Sequence, residues 1–319
     1  MVKNLYTSAN GAYVAPALVA LYSAARHAQA DLVCTLVTDA DLGGFQVDRL
    51  RTQFEEQNAR LEFFDWTTVD TGIEPSILAR VRYSSLSMAW IFVDQIFPEA
   101  RRAVYIDSDT MALSSIEDLF AFDLSENATA AVFDYGILPK NTTKDQAHLL
   151  GQDTSQRQFN SGVLVQNIAE YRARGIGNAC VEYLNGNPDS IDNFADQDTL
   201  NVVCRGRIRE MSPVYNAHPA YADVIRSVCG RDPVIVHYWG GRKPWKANFF
   251  GIRMAYLEAY FDLVFELGVA DHMNNSDRFR STLGRGVVAV QSRLSGLVKK
   301  KNSSSVRAYY EERITELTC

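Results

Sequence analysis

Cysteine is scarce in this chain, with five among 319 residues. Cys34, Cys180, Cys204, Cys229 and Cys319 are odd in number and widely scattered. That excludes C-x-x-C metal knuckles and a dense disulfide framework. No apolar run approaches the roughly 18 residues of a membrane-spanning helix. The opening stretch MVKNLYTSAN also lacks the basic-then-apolar order of a secretory signal. A reducing, cytoplasmic setting is therefore expected. A basic excess is missing too: the formal net charge is -6, which argues against nucleic acid as the main ligand. No internal repeat and no low-complexity linker interrupts the first 275 residues. What remains is the composition of an ordinary globular protein, 47% hydrophobic and 22% charged, able to bury a large core.

The charge is unevenly spread. Arg280, Arg285, Arg293, Lys299, Lys300, Lys301 and Arg307 fall within 28 residues that contain no acid. Just before the lysines, Val287, Val290, Leu294 and Leu297 recur at the spacing of one helix face. An apolar stripe beside a basic cluster fits an interfacial helix on an anionic membrane. The same stripe fits a terminal helix packed on the body, and the sequence leaves both open. We therefore expect a globular body over 1–275 and a basic amphipathic tail over 276–319.

Within the body, apolar strands alternate with helical stretches. NLYTSA (4–9), LVCTLVTD (32–39), RLEFFDW (60–66) and AVYI (103–106) read as strands. VAPALVALYSAARHA (14–28), FQVDRLRTQFEEQNA (45–59) and SLSMAWIFVDQIF (85–97) read as the helices between them. Such alternation predicts an α/β fold with a mostly parallel sheet covered on both faces. Further along, ATAAVFD (128–134), GVLVQN (162–167) and VIVHYWG (234–240) read as strands. IAEYRARGIGNACVEYL (168–184) reads as a single helix, and AYLEAYFDLVFELG (255–268) as a closing one.

One short stretch carries chemistry. In AVYIDSDTMAL (103–113) an apolar strand stops at Asp107 and Asp109, with Ser108 between them. Residues i and i+2 of an extended chain share a face, and two carboxylates that close repel unless a proton, a cation or water separates them. In a parallel α/β sheet this is also where ligands bind, beyond the carboxyl ends of the strands. Four other stretches accompany the pair: YTSANGAYVAPALVALYSA (6–24), FNSGVLVQN (159–167), DQDTLN (196–201) and HYWGGRKPW (237–245). In this order they resemble family eight of the retaining glycosyltransferases, which includes the bacterial lipooligosaccharide galactosyltransferases and glycogenin. The resemblance spans about residues 1–250, and the H-Y-x-G-x-x-K-P-W stretch is its most specific element.

The resemblance implies a GT-A fold. It implies retaining transfer of a hexose from UDP-glucose or UDP-galactose to a glycan or glycolipid hydroxyl, with Mn²⁺ as cofactor and Mg²⁺ as the alternative. Asp107, Asp109 and His237 match its metal ligands. Two carboxylates facing a diphosphate would repel it, and a divalent cation between them inverts that sign. Lys243 would meet the diphosphate as a point charge, and Gly240 would let backbone approach the phosphates. Ser8, Asn10 and Tyr13 fall where the family binds uridine and ribose, although Asn10 stands where many members carry an aspartate. Asn160 and Gly162 match residues lining the donor sugar, and Asp134 an acid contacting its hydroxyls. Asp196 and Gln197 match the pair beside the anomeric carbon, with a helix N-cap as the second reading of Asp196. Trp90 departs from the pattern, because counting without gaps puts it where most members carry an arginine, and Arg80 and Arg82 lie nearby.

Two other classes remain. A HAD-type phosphatase also places D-x-D after a strand, but it needs Thr or Val two residues beyond the second aspartate, where this chain has Met111. A non-catalytic sugar-nucleotide or glycan-binding module is opposed by intact Asp107, Asp109, His237 and Lys243.

Overall fold

The computed structural model describes residues 2–29, 31–80, 84–134, 158–188, 195–241, 243–246 and 252–273. The tail expected over 276–319 lies outside them.

Nine strands are described: β1 (Lys3–Ser8), β2 (Leu32–Thr38), β3 (Ala59–Asp65), β4 (Arg102–Ile106), β5 (Thr110–Ala112), β6 (Thr129–Phe133), β7 (Phe159–Asn167), β8 (Ile208–Glu210) and β9 (Ile235–His237). Seven form one twisted sheet in the order β3-β2-β1-β4-β7-β6-β8. All of these run the same way except β7, which lies antiparallel to β4 and β6. The expected α/β architecture with a mostly parallel sheet is present, with one reversed strand, β7, between β4 and β6.

Burial on both faces explains the unbroken apolar runs. Along β1, Leu5 packs into one core cluster and Tyr6 into the other. Along β4, Val104 goes to the first, and Ala103 and Tyr105 to the second. This is the two-residue alternation of a strand with no solvent face. The helix Val14–Ala25 is buried over its whole length, and the helix Met254–Leu267 packs against it.

Three expected elements differ. The stretch 85–97 is a 3-10 helix, Ser85–Phe92, followed by one α-turn, Val93–Ile96. Gln166 Nε2 donates to the Trp90 carbonyl at 3.0 Å and the Tyr171 hydroxyl to the Ile91 carbonyl at 2.9 Å, so tertiary partners hold the acceptors an α-helix would use. The expected single helix over 168–184 is two, Ile168–Ala173 and Ile176–Gly186, parted at Gly175, whose φ of +61° ends the first. The strand read over 234–240 shortens to β9, which leaves the main sheet and pairs antiparallel with β5.

Among the described residues no helix is long and apolar enough to cross a membrane. Cys34, Cys180 and Cys204 are buried free thiols. Cys229 is disulfide-bonded, which the scattered cysteines did not suggest.

Candidate active site

The two aspartates sit on a tight turn between β4 and β5. The Asp107 carbonyl accepts from the Thr110 amide at 3.1 Å and from the Thr110 hydroxyl at 2.8 Å, which reverses the chain at once into β5. β5 then pairs with β9 so that Thr110 stands opposite His237, and the Tyr238 amide donates to the Asp109 carbonyl at 2.8 Å. This small ladder delivers an imidazole from far along the chain. His237 Nε2 lies 3.0 Å from Asp109 Oδ1 and 3.5 Å from Asp107 Oδ2. Lys243 Nζ bonds to Asp109 Oδ2 and, at 2.7 Å, to the Tyr238 carbonyl.

β7 closes the site from the other side. Because it runs backwards, its first residues lie at the carboxyl end of β4, and the Asp107 amide donates to the Gly162 carbonyl at 2.8 Å. A Cβ on Gly162 would lie 2.6 Å from His237 Nδ1 and 2.9 Å from Asp107 Oδ2, so only glycine fits between them. A register shift in the β6–β7 ladder brings Asn160 beside Asp134. Asn160 Nδ2 donates to Asp134 Oδ2 at 3.2 Å and to Gln197 Oε1 at 3.1 Å, and Gln197 Nε2 to Asp134 Oδ2 at 3.0 Å. Asp196 lies within the first turn of the helix Ala195–Val203, not ahead of it as an N-cap would, and accepts from the Ser161 hydroxyl at 2.7 Å.

The electrostatics divide the carboxylates. Asp109 is held well below the usual range: burial pushes it up, but Lys243 and His237 outweigh that. Asp107 is raised by burial and the neighbouring Asp109, against the pull of His237. Asp196 is pushed up to about 6, first by burial and then by the charge of Asp107. A carboxylate pair with one imidazole, each offering an atom within 4.8 Å of the others, is a donor set able to hold a divalent cation. A cation among these atoms would offset the repulsion between the two carboxylates.

The remaining expected residues are less directly joined. The Ser8 hydroxyl donates to the Leu86 carbonyl at 2.6 Å and lies 3.3 Å from the Tyr105 hydroxyl, which in turn donates to Asp107 Oδ1 at 2.8 Å. Asn10 bonds Ser84, and Tyr13 packs edge-on to Trp245 with the Lys246 ammonium 5.6 Å from its ring centre. Ser108 is half-buried between the aspartates. Gly240 has φ +78°, a left-handed conformation that favours glycine, and no protein atom lies where a Cβ would stand. Trp90 is 1% exposed within the core, so the gapless count lands on a packing residue. Arg80 is exposed, and Arg82 lies outside the described residues.

The sequence reading missed three participants: Tyr105, Ser161 and Asn216. The first two adjoin motif residues and could have been proposed from the strand pattern. Asn216 Nδ2 donates to Asn160 Oδ1 at 2.7 Å, and its Oδ1 lies 2.8 Å from His237 Nδ1. It belongs to no motif read along the chain. A separate hollow of about 290 Å³, lined by Val2, Asp31, Glu55, Asn58 and Arg60 among others, lies at the amino ends of β2 and β3, away from these groups.

Comparison with known proteins shows the family and the fold. The profile of glycosyl transferase family 8 matches residues 4–248. General stress protein A of Bacillus subtilis is 26% identical over 239 residues, covering 69% of this chain and 78% of that protein. The lipopolysaccharide 1,3-galactosyltransferase of Salmonella typhimurium is 28% identical over 162 residues, 49% of this chain and 48% of that enzyme. Among solved structures, the galactosyltransferase LgtC in complex with donor and acceptor sugar analogs superposes with a TM-score of 0.67 at 20% identity. That match covers 82% of this chain and 95% of LgtC, and it shows a common fold.

Proposed function

Because this chain belongs to glycosyl transferase family 8, we propose that it transfers glucose or galactose from the UDP-sugar to a hydroxyl of a glycan or glycolipid, with retention at the anomeric carbon. The observation that carries the reading is the convergence of Asp107, Asp109 and His237 within 4.8 Å beside the Asp134–Asn160–Gln197 network. A metal-ligand set next to a sugar-sized hydrogen-bonding cluster suits a nucleotide-sugar better than a phosphate monoester, which disfavours the phosphatase reading; turnover in the assay below separates the enzyme from a binding module.

In this reading Asp107, Asp109 and His237 hold Mn²⁺, with Mg²⁺ as the alternative. When bound, the cation offsets the diphosphate's charge and that of the departing UDP. Lys243, now paired with Asp109, supplies a further positive charge for the phosphates, a charge-assisted bond of roughly 1.5–3 kcal/mol. Ser8, Asn10 and Tyr13 receive the uridine and ribose, with Ser108, Gly162 and Gly240 lining the path of the donor. Asp134 and Asn160 accept from and donate to the sugar hydroxyls. Asp196 and Gln197 flank the anomeric carbon. An amide is a poor nucleophile, so we favour attack on the face that UDP leaves. The bond from C1 to the phosphate oxygen breaks, the bond from C1 to the acceptor oxygen forms, and the acceptor proton passes to the departing phosphate.

We further propose that 1–275 is the catalytic GT-A domain and 276–319 a separate basic tail. The reaction is placed in the cytoplasm, peripheral at the inner membrane face. The buried free thiols Cys34, Cys180 and Cys204 favour that side, and the disulfide at Cys229 counts against it. Likeness to lipopolysaccharide galactosyl- and glucosyltransferases supports a lipopolysaccharide or related polysaccharide as acceptor class.

A donor panel read by UDP release, run with Mn²⁺, with EDTA and with the Asp109→Ala variant, tests the function. Release from UDP-glucose or UDP-galactose that both EDTA and the variant abolish is expected. Release only from GDP- or CMP-sugars, or near wild-type turnover by the variant, refutes it.

A further inference from the structure

Asn216 belongs to no stretch that carries the family resemblance, yet it is 1% exposed and stands between the metal-ligand set and the sugar-sized cluster. Its role follows from which atoms are forced to donate. The Gly162 backbone N–H can only donate, and it points at Asn160 from 2.9 Å, so the Asn160 atom facing it is Oδ1. That leaves Asn160 Nδ2 for the Asp134 carboxylate and for Gln197. The Ser161 N–H, 3.4 Å from the Gln197 oxygen, orients that amide in the same sense. Asn216 meets Asn160 at the same Oδ1, 2.7 Å away, and must therefore offer Nδ2 there. Its own Oδ1 is then the atom 2.8 Å from His237 Nδ1.

A carbonyl oxygen cannot donate, so the proton of this contact sits on His237 Nδ1. In the neutral ring the other nitrogen, Nε2, keeps its lone pair, and Nε2 is the atom 3.0 Å from Asp109 and 3.5 Å from Asp107. Left to that neighbourhood alone, an imidazole would put its proton on Nε2 and donate it to a carboxylate. Asn216 opposes this choice.

We propose that Asn216 is a positioning residue. It locks His237 as the Nδ1–H tautomer and so presents Nε2 as a ready metal ligand. Through Asn160 it also ties the orientation of that ring to the groups beside the sugar. Metal-bound histidines in general are oriented by a partner on the far nitrogen, and loss of that partner costs roughly 10–100-fold in metal affinity. Here the partner is an amide held by a chain of hydrogen bonds that starts at two backbone N–H groups. The proposal rests on the metal-binding reading above, but its first readout needs no metal.

That readout is the long-range ¹⁵N–¹H spectrum of the histidine rings in metal-free full-length protein at alkaline pH, with His237 assigned by the His237→Asn variant. Wild type is expected to show protonated Nδ1 and lone-pair Nε2. Asn216→Leu, close in size but without polar atoms, should shift His237 toward the Nε2–H form. It should also weaken Mn²⁺ binding, titrated by EPR without nucleotide, by roughly 10–100-fold. Asn216→Asp keeps an acceptor for Nδ1–H but loses the donation to Asn160 Oδ1, so it should keep the tautomer, which a purely space-filling role would not separate from the leucine result. If Asn216→Leu does not fold, the wild-type and Asn216→Asp spectra still decide. An Nε2–H or doubly protonated ring in wild type overturns the proposal. So does an Asn216→Leu protein with unchanged tautomer and Mn²⁺ affinity within about twofold of wild type. A protein with the Nδ1–H tautomer that binds no Mn²⁺ would instead refute the metal reading and leave the role of Asn216 standing.

Discussion

Replacing Asp196 with asparagine should stabilise the metal-free protein, and only above a certain pH. The Asp196 carboxyl is carried from 3.8 to about 6, chiefly because burial strips its water and secondly because Asp107 lies near; the Ser161 hydroxyl and backbone amides oppose the shift. A folded value above the unfolded one means that the ionised form is disfavoured by folding. The contribution to stability is therefore full below 3.8 and is lost as pH rises through about 6. At about 1.36 kcal/mol per pH unit the displacement corresponds to roughly 3 kcal/mol. The side chain is half-buried, not sealed, so solvent screening reduces this to roughly 1–2 kcal/mol. Asparagine keeps an oxygen for the Ser161 hydroxyl and removes the charge. Urea unfolding of the two proteins should give equal stabilities near about pH 4 and a gap of roughly 1–2 kcal/mol in favour of Asp196→Asn above about pH 7. Saturating Mn²⁺ should narrow the gap, since it offsets the charge on Asp107, while transfer activity falls. A gap that does not vary with pH, or a variant less stable than wild type at neutral pH, would refute the reasoning.

Two other perturbations follow from the geometry and the sequence. Gly162→Ala forces a methyl between His237 and Asp107; overpacking of this kind costs roughly 1–3 kcal/mol, so the melting temperature should drop and Mn²⁺ affinity should fall well beyond that of a surface control, and wild-type binding by the variant would show that the ligands can spread without loss. Full-length protein and a truncation after residue 275 should differ in co-sedimentation with anionic liposomes, each basic residue near the surface adding roughly 1 kcal/mol at low salt; equal binding by both, or no preference for anionic over neutral lipid, would make the tail ordinary structure.

Much of the fold was legible because its signals are local. β2 is apolar at nearly every position since both of its faces are covered, and that reads directly as a buried parallel strand. The Asp107–Asp109 pair was legible for a related reason: a strand end in an α/β sheet is both a turn and a binding position, and two acids there stand out against the apolar run. Where local pattern misled, a distant partner had intervened. The segment 85–97 looked helical by composition, but Gln166 and Tyr171, some 76 and 80 residues away, hold its carbonyls and tighten it. Trp90, which a gapless count sets where most members of the family carry an arginine, is core.

The sequence by itself determined the architecture, the end of the sheet where the candidate site lies, and most of the polar groups that gather there. Only the tertiary structure decided how those groups meet. It reversed β7, which carries Asn160 and Gly162 to the carboxyl end of β4. It moved β9 out of the main sheet onto β5, which sets His237 against the aspartates. It also drew in Asn216, which is 21 residues from His237 and 56 from Asn160 along the chain. The physical reason is that hydrophobic periodicity and turn chemistry act over a few residues and are written in neighbouring side chains. Strand order, register and the direction of a buried amide's hydrogen bonds depend on which surfaces finally pack together, and no short stretch of chain contains that information.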